Sequence, residues 1–216
     1  MSCCCPHSRS AGKLFSFFAH RYRKRFQKKG FEPSQKHLME GITQAGFQQA
    51  SILEIGSGVG HLHQSLLEQG AQQAAGIDLA PAMIEEAQQW ADDRGLADRT
   101  TYIEGDFVTM EEGATLAADI TILDKVICCY PDADALVHKS LQKTGRVYAV
   151  TYPRQHMLTK IGEKIGIFVM WLFRSCFHPY VHDPQQIEAW ITSQGFEKQY
   201  ESKTLIWLTQ VYVKAH

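Results

Sequence analysis

Long hydrophobic runs are the first thing this 216-residue chain lacks. Its most apolar stretch, Ile165-Gly-Ile-Phe-Val-Met-Trp-Leu-Phe173, falls well short of the ~20 residues a bilayer span requires, so no spanning helix is expected. A dominant charge is lacking too. The formal net charge is −1, which leaves no overall electrostatic footprint for nucleic acid. The six cysteines do not form the pattern of a disulfide framework: Cys3, Cys4 and Cys5 crowd the N-terminus, Cys128 and Cys129 continue an apolar strand, and Cys176 lies among aromatics. A reduced, cytoplasmic compartment is expected. Apart from His7, no cysteine or histidine pair at zinc spacing accompanies the N-terminal triplet, so no metal site is expected. Incidental thiols in a disordered terminus, residues 1–10, are preferred there over metal binding or lipidation. The apolar stretch near Phe15 is too short for a secretory signal and has no small-residue cleavage pattern. Internal repeats and low-complexity tracts are absent, and the length suits one domain, residues 11–216.

What the chain does have is Ile52-Leu-Glu-Ile-Gly-Ser-Gly-Val-Gly60 followed by Gly76-Ile-Asp78. The short β-branched run reads as a buried parallel strand, the glycines let the backbone turn sharply close to a ligand, and a second strand ends in a carboxylate. Such a unit holds a nucleoside. A dinucleotide fingerprint wants G-x-G-x-x-G, with the third glycine packing helix on strand; His61 occupies that position here. The pattern is E-x-G-x-G-x-G, with Glu54 before the loop and Asp78 standing 22 residues beyond Gly56. A carboxylate inside an apolar strand costs several kcal/mol of desolvation unless partnered, so Glu54 is expected to face a ligand or cap backbone.

Further strands and helices alternate along the chain, which implies right-handed crossovers and a mainly parallel sheet. Two helices, about Gly12 to Lys29 and Pro33 to Ala45, precede it and are expected to cover the cleft as a cap, residues 11–46. Helices follow Asp78 from Pro81 and the fourth strand from Pro131, and Asp183 caps another at Pro184. Lys198–Ser202 and Leu205–Val213 read as closing strands.

At these residues the chain resembles the class I S-adenosylmethionine-dependent methyltransferases. The likeness continues in order through Tyr102-Ile-Glu-Gly-Asp-Phe107, Asp119-Ile-Thr-Ile-Leu-Asp124 and the turn and strand Leu141–Val150, where Thr144 and Arg146 replace a usual proline and glycine. It implies an α/β, Rossmann-like fold: a mainly parallel seven-stranded sheet with a C-terminal antiparallel hairpin and helices on both faces. It implies S-adenosyl-L-methionine as cofactor, with Gly56, Gly58 and Gly60 near its methionine part and Asp78, beside Leu79, on the ribose hydroxyls. Asp106 would then meet the adenine amino group, Phe107 the ring, and Asp124 the methionine end, with Glu54 behind the loop. The segment Cys128–Asp132, Arg154 and Leu158–Gly162 is also similar to part of the magnesium-protoporphyrin O-methyltransferases, which esterify a propionate.

The expected activity is methyl transfer to the O or N atom of a small-molecule acceptor, among them a flat or hydrophobic carboxylate such as a porphyrin. Methyl transfer needs positioning and a base only when the acceptor must lose a proton. Tyr130, His156 and His178 are the leading candidates, with Lys125, Tyr180 and His182 nearby in sequence, and none is singled out. Two other readings stay open: a non-catalytic cofactor- or partner-binding module on the same fold, and an NAD-dependent oxidoreductase, which His61 argues against.

Two segments have more than one reading. Residues 14–29 join Leu14-Phe-Ser-Phe-Phe18 to the basic cluster Arg21, Arg23, Lys24, Arg25, Lys28 and Lys29, either a cleft-covering amphipathic helix or a contact with a membrane surface or anionic substrate. Residues 154–181, which include the apolar stretch 165–173, form a roof over a substrate pocket, an extra core layer, or a second point of peripheral membrane contact.

Overall fold

The chain is described as a computed structural model for residues 7–111, 113, 117–172, 175 and 177–215, with residues 7–9 as backbone only. Cys3, Cys4, Cys5 and Cys176 lie outside the described residues. Seven strands, β1 (Ser51–Ile55), β2 (Gln73–Asp78), β3 (Thr100–Glu104), β4 (Ala118–Asp124), β5 (Thr144–Pro153), β6 (Phe196–Lys203) and β7 (Trp207–Lys214), form one sheet in the order β3-β2-β1-β4-β5-β7-β6. The first five run parallel, and β7 pairs antiparallel with both β5 and β6. This is the mainly parallel sheet with a closing hairpin that the sequence leads one to expect. After β1 the chain moves outward to β2 and β3, then returns to β4 on the other side. The crevice beyond the carboxyl ends of β1 and β4 is therefore the switch point where open α/β sheets take ligands.

Among the described residues, seven α-helices surround the sheet: α1 (His7–Lys29), α2 (Pro33–Ala45), α3 (His61–Glu68), α4 (Pro81–Asp93), α5 (Ala133–Gln142), α6 (Met157–Leu172) and α7 (Pro184–Ser193). Because helices cover both faces, neighbouring strand residues are buried in opposite directions. Ile52, Ile120, Ile122 and Val147 pack with Leu38 and Ile42 of α2 and Leu62 and Leu66 of α3. Leu53, Ile55, Leu123 and Val150 pack with Leu136 and Val137 of α5 and Ile187 of α7. Each fully buried aliphatic side chain contributes about 1.5–3 kcal/mol of transfer free energy. Pro81 and Pro184 sit in the first turns of α4 and α7, and Asp183 accepts the Gln185 N–H at 2.9 Å as the expected cap.

Three local expectations need correction. Helix α1 begins at His7 and so takes in residues 7–10 of the terminus expected to be disordered. Cys128 and Cys129 lie in a 3₁₀ turn, Ile127–Cys129, rather than continuing β4, because Lys125 adopts φ 62° and turns the chain out of the sheet. Leu205 and Ile206 form the β6–β7 turn instead of the start of a strand. The segment expected as a roof is mostly the helix α6, of which only Thr159 is buried.

In the closing hairpin Glu201 accepts from Lys203 at 2.7 Å and from Lys198 and Gln210 at 2.9 Å each. The Lys203 hydrogen bond, then Gln210 and Lys198, hold its carboxyl down at about 2 against an opposing burial effect. A depressed acid contributes stability above its unfolded pKa and loses it as pH falls through the folded one. Chemical denaturation from pH 5 to about pH 2 should thus show part of the acid destabilisation missing in Glu201→Gln.

Candidate functional site

The turn after β1 explains its own glycines. Gly58 has φ 53°, a left-handed conformation that costs an L-residue about 1–2 kcal/mol, and a Cβ built on it would meet nothing within 4 Å. That empty space is a cavity of about 500 Å³ at the switch point, within the usual range of small-molecule sites. Glu54, Gly56, Gly58, Asp78, Leu79, Asp106, Phe107 and Asp124 all line it. Gly60 does not; it caps the N-terminus of α3.

Asp78 closes β2 and holds the turn. Its Oδ2 accepts the Gly58 N–H at 2.8 Å and its Oδ1 the Ala80 N–H at 2.9 Å. Burial pushes its carboxyl above the usual range, opposed by these backbone donors. Asp106, just beyond β3, accepts the Tyr130 hydroxyl at 2.9 Å and the Val108 N–H at 3.1 Å. Phe107 is nearly fully buried, with the Lys139 ammonium over its ring.

Glu54 finds its partner inside the protein. His63, two residues into α3, places its Nδ1 2.6 Å from Glu54 Oε2, and its backbone N–H reaches the same oxygen at 3.3 Å. Of the two alternatives for Glu54, the carboxylate takes the backbone-capping one through the His63 N–H, while the residue also borders the cavity.

Gln35, which sequence reading did not single out, organises the opposite wall. Its Oε1 accepts the Glu32 N–H at 3.1 Å in the capping box of α2, which fixes the amide so that Nε2 meets Asp124 Oδ2 at 2.9 Å and His61 Nε2 at 2.8 Å. Burial raises the carboxyl of Asp124 against the opposing influence of Lys125 and Gln35. Burial also takes His61 down to about 3, with His63 and Lys125 pushing the same way, so its imidazole is neutral. Among the described residues, six buried side-chain polar atoms have no hydrogen-bond partner, and three of them, Ser57 Oγ, His61 Nδ1 and Asp124 Oδ1, belong to residues lining this cavity. Buried polar atoms are rarely left unpaired, so three on residues around one void mark this wall as unusually polar.

Helix α1 contributes to the cavity wall. Phe15, Tyr22, Arg25 and Phe26 line the cavity, and Arg23 ties the helix to α4 through Glu86 and Asp93. Gly12 brings it close: a Cβ there would stand 2.5 Å from the Leu79 carbonyl oxygen. At the mouth, Arg25 and Lys125 each lie 2.5 Å from a different oxygen of one carboxylate, Glu32.

The candidate bases separate. Tyr130 lines the cavity but is held protonated, its hydroxyl pushed well up by burial and then by Asp106. His156 lies at the foot of α6, its Nε2 2.8 Å from the Leu205 carbonyl, and His178 is also away from the cavity lining. Tyr180 and His182 brace the turn after β4: the Tyr180 N–H donates to the Cys128 carbonyl at 2.8 Å, and His182 Nε2 lies 3.1 Å from the Tyr130 carbonyl. Arg154 bonds the Thr204 carbonyl at 2.9 Å and does not line the cavity. None of the described residues of 154–181 lines it either, whereas α1 supplies Phe15, Tyr22, Arg25 and Phe26 to its wall.

Residues 52–148 match the methyltransferase domain family. Curated relatives include the ribosomal protein L11 methyltransferases of Pasteurella multocida (strain Pm70) and Haemophilus influenzae (strain PittEE), each 29% identical over 93 residues, 43% of this chain. The matched region spans only 30% of their length. Among solved structures, magnesium protoporphyrin IX methyltransferase from Synechocystis PCC 6803 with bound SAM superposes with a TM-score of 0.72 at 16% identity, covering 100% of both chains. The [4+2]-cyclase SpnF superposes with a TM-score of 0.75 at 11% identity, covering 97% of both chains. At such identities the likeness is one of fold. The chain thus has the fold of the class I S-adenosylmethionine-dependent methyltransferases, and over residues 52–148 it is similar to the methyltransferase domain family.

Proposed function

We propose that the cavity binds S-adenosyl-L-methionine and that the protein transfers a methyl group to a small-molecule acceptor. The observation that carries this reading is the void in front of Gly58, bordered by Asp78 and by residues holding three unpaired polar atoms. The residues present fit the cofactor. Asp78 uses one lone pair on each oxygen and has others for ribose hydroxyls, Asp106 has capacity left for an adenine amino group, and Asp124 Oδ1 is unpartnered for the methionine ammonium. Gly56, Gly58 and Leu79 supply close backbone, Phe107 an apolar wall, Gly60 the turn into α3, and Glu54 the support behind the loop. Bound there, the cofactor supplies a methyl group on a sulfonium centre.

The chain's own part is to exclude water with α1 and to hold the acceptor in line. His61 is a very weak base and Tyr130 is kept protonated, so neither suits proton abstraction. An acceptor that arrives nucleophilic, a carboxylate or a neutral amine, fits best. Arg25 and Lys125, which share the Glu32 carboxylate, are the two cations of the lining that an acidic acceptor would meet. The apolar wall contributed by Phe15, Phe26 and Trp207 suits a flat hydrophobic acid, and a porphyrin propionate is a concrete acceptor to test.

The test is turnover with tritiated-methyl cofactor against porphyrin carboxylates and a metabolite extract. Label in a methyl ester or an N-methylamine is expected. Binding of S-adenosylhomocysteine with no labelled product across broad extracts would overturn the transfer reading and leave a cofactor-binding module.

A further inference from the structure

Helix α6 buries almost nothing. Ile165 is 58% exposed, Phe168 61% and Trp171 68%, and Met157, Leu158, Ile161 and Leu172 are exposed with them. Phe168 and Trp171 stack on each other at 5.9 Å, away from the core. The opposite face is the one in contact with the protein: a Cβ on Gly166 would stand 2.8 Å from Pro179, and Glu163 accepts the Val181 N–H at 3.0 Å. Glu163 is the sole acidic residue of α6 and is thus turned inward, while its basic residues, Lys160 and Lys164, are exposed. The exposed turn residues Leu205 and Ile206 extend the apolar surface at the foot of the helix, tied there by the His156–Leu205 contact and by the Arg154 N–H on the Ile206 carbonyl at 2.8 Å.

We propose that α6 and the turn at 205–206 dock the protein on an anionic lipid bilayer. The helix lies in the interface, with its aromatic and aliphatic side chains among the acyl chains and its two lysines at the headgroups. Charge selects this occupant: an outward face that is apolar and purely basic complements a negatively charged lipid surface. No helix among the described residues is long and apolar enough to cross a membrane, so the contact is peripheral. Segment 177–182 links it to the cleft, since Phe177 packs edge-on against Phe15 of α1 at 5.6 Å. The basic cluster of α1 is not needed for this docking; its Phe15 and Phe26 serve the cavity.

Co-flotation of the whole chain with vesicles tests the proposal and needs no cofactor, so its outcome is separate from the methyl-transfer reading. Binding to equimolar phosphatidylcholine–phosphatidylserine vesicles is expected, with much weaker binding to phosphatidylcholine alone. Lys160→Ala with Lys164→Ala should lower the partition coefficient roughly thirtyfold, and Phe168→Glu with Trp171→Glu should abolish flotation. All four side chains are exposed, so thermal melting should be unchanged; if the glutamate pair misfolds, the lysine pair still decides. Absence of the wild type from floated anionic vesicles, or equal flotation of the lysine pair and wild type, would overturn the proposal. A wild-type dimer that Phe168→Glu with Trp171→Glu makes monomeric would also overturn it, assigning the face to a second copy of this chain.

Discussion

Asp78→Ala should weaken S-adenosylhomocysteine binding by about a hundredfold or more in titration calorimetry, while the protein remains folded. Two losses combine. Each charge-assisted hydrogen bond to a ribose hydroxyl contributes about 1.5–3 kcal/mol, and two at the lower figure already amount to a hundredfold. The same substitution strips the Gly58 and Ala80 N–H groups of their acceptor, so the turn that keeps the cavity open loses its brace. Asp78→Asn separates the effects, because its amide oxygen can still accept one of the two backbone donors but the negative charge is gone. Its affinity should fall between those of wild type and the alanine variant. Since burial raises the Asp78 carboxyl, affinity should also begin to decline at a higher pH on acidification than an ordinary aspartate would give. Unchanged affinity in the alanine variant would remove Asp78 from the ribose and the cofactor from this cavity's near wall.

The parts legible in the sequence are those whose physics is local. The β-branched run at Ile52–Ile55, the glycine turn, the proline-led helices and the Asp183 cap each follow from neighbouring residues, and their order is enough to call for a parallel sheet. The acidic positions Asp78 and Asp106 are legible through spacing against those elements. Gln35 and Ser57 are not, because what makes them notable is a meeting across the fold: Gln35 reaches Asp124 over 89 positions of sequence. The one available signal was the capping box Glu32–Gln35, which tells where the glutamine's oxygen goes but not where its nitrogen points. In sequence His61 shows only as a missing glycine, although its burial against Phe26 and Gln35 gives it a place in the wall. The place of residues 154–181 is left open by the sequence for a related reason. An apolar stretch says that a surface needs covering, and its position after β5 does not say whether protein or something outside the protein provides the cover.

His63→Leu should cost about 3–5 kcal/mol of stability, and Glu54→Leu with His63→Leu should cost less than that single change. Glu54 and His63 are both almost completely buried, so Glu54 owes its tolerable position in β1 to the 2.6 Å contact with the imidazole. The network has a consistent direction: Gln64 Nε2 donates to the Tyr102 hydroxyl at 2.7 Å, that hydroxyl lies 3.0 Å from His63 Nε2, and His63 Nδ1 faces Glu54. Tyr102 is well placed as the donor to the ring, since burial raises its hydroxyl to about 12. Replacing His63 alone with a side chain of similar bulk leaves the carboxyl in the core with a single backbone N–H at 3.3 Å. Replacing both removes the polar groups together, and the Tyr102 hydroxyl keeps Gln64. Urea unfolding, with midpoints and slopes compared across both single variants and the double, measures the coupling. A double variant destabilised by the sum of the two singles would show that the pair is not coupled. If the coupling is found, a further consequence follows for the site. Glu54 sits two residues before Gly56, so the carboxylate that looked in sequence like a ligand contact would hold the glycine turn chiefly by anchoring the first turn of α3 behind it.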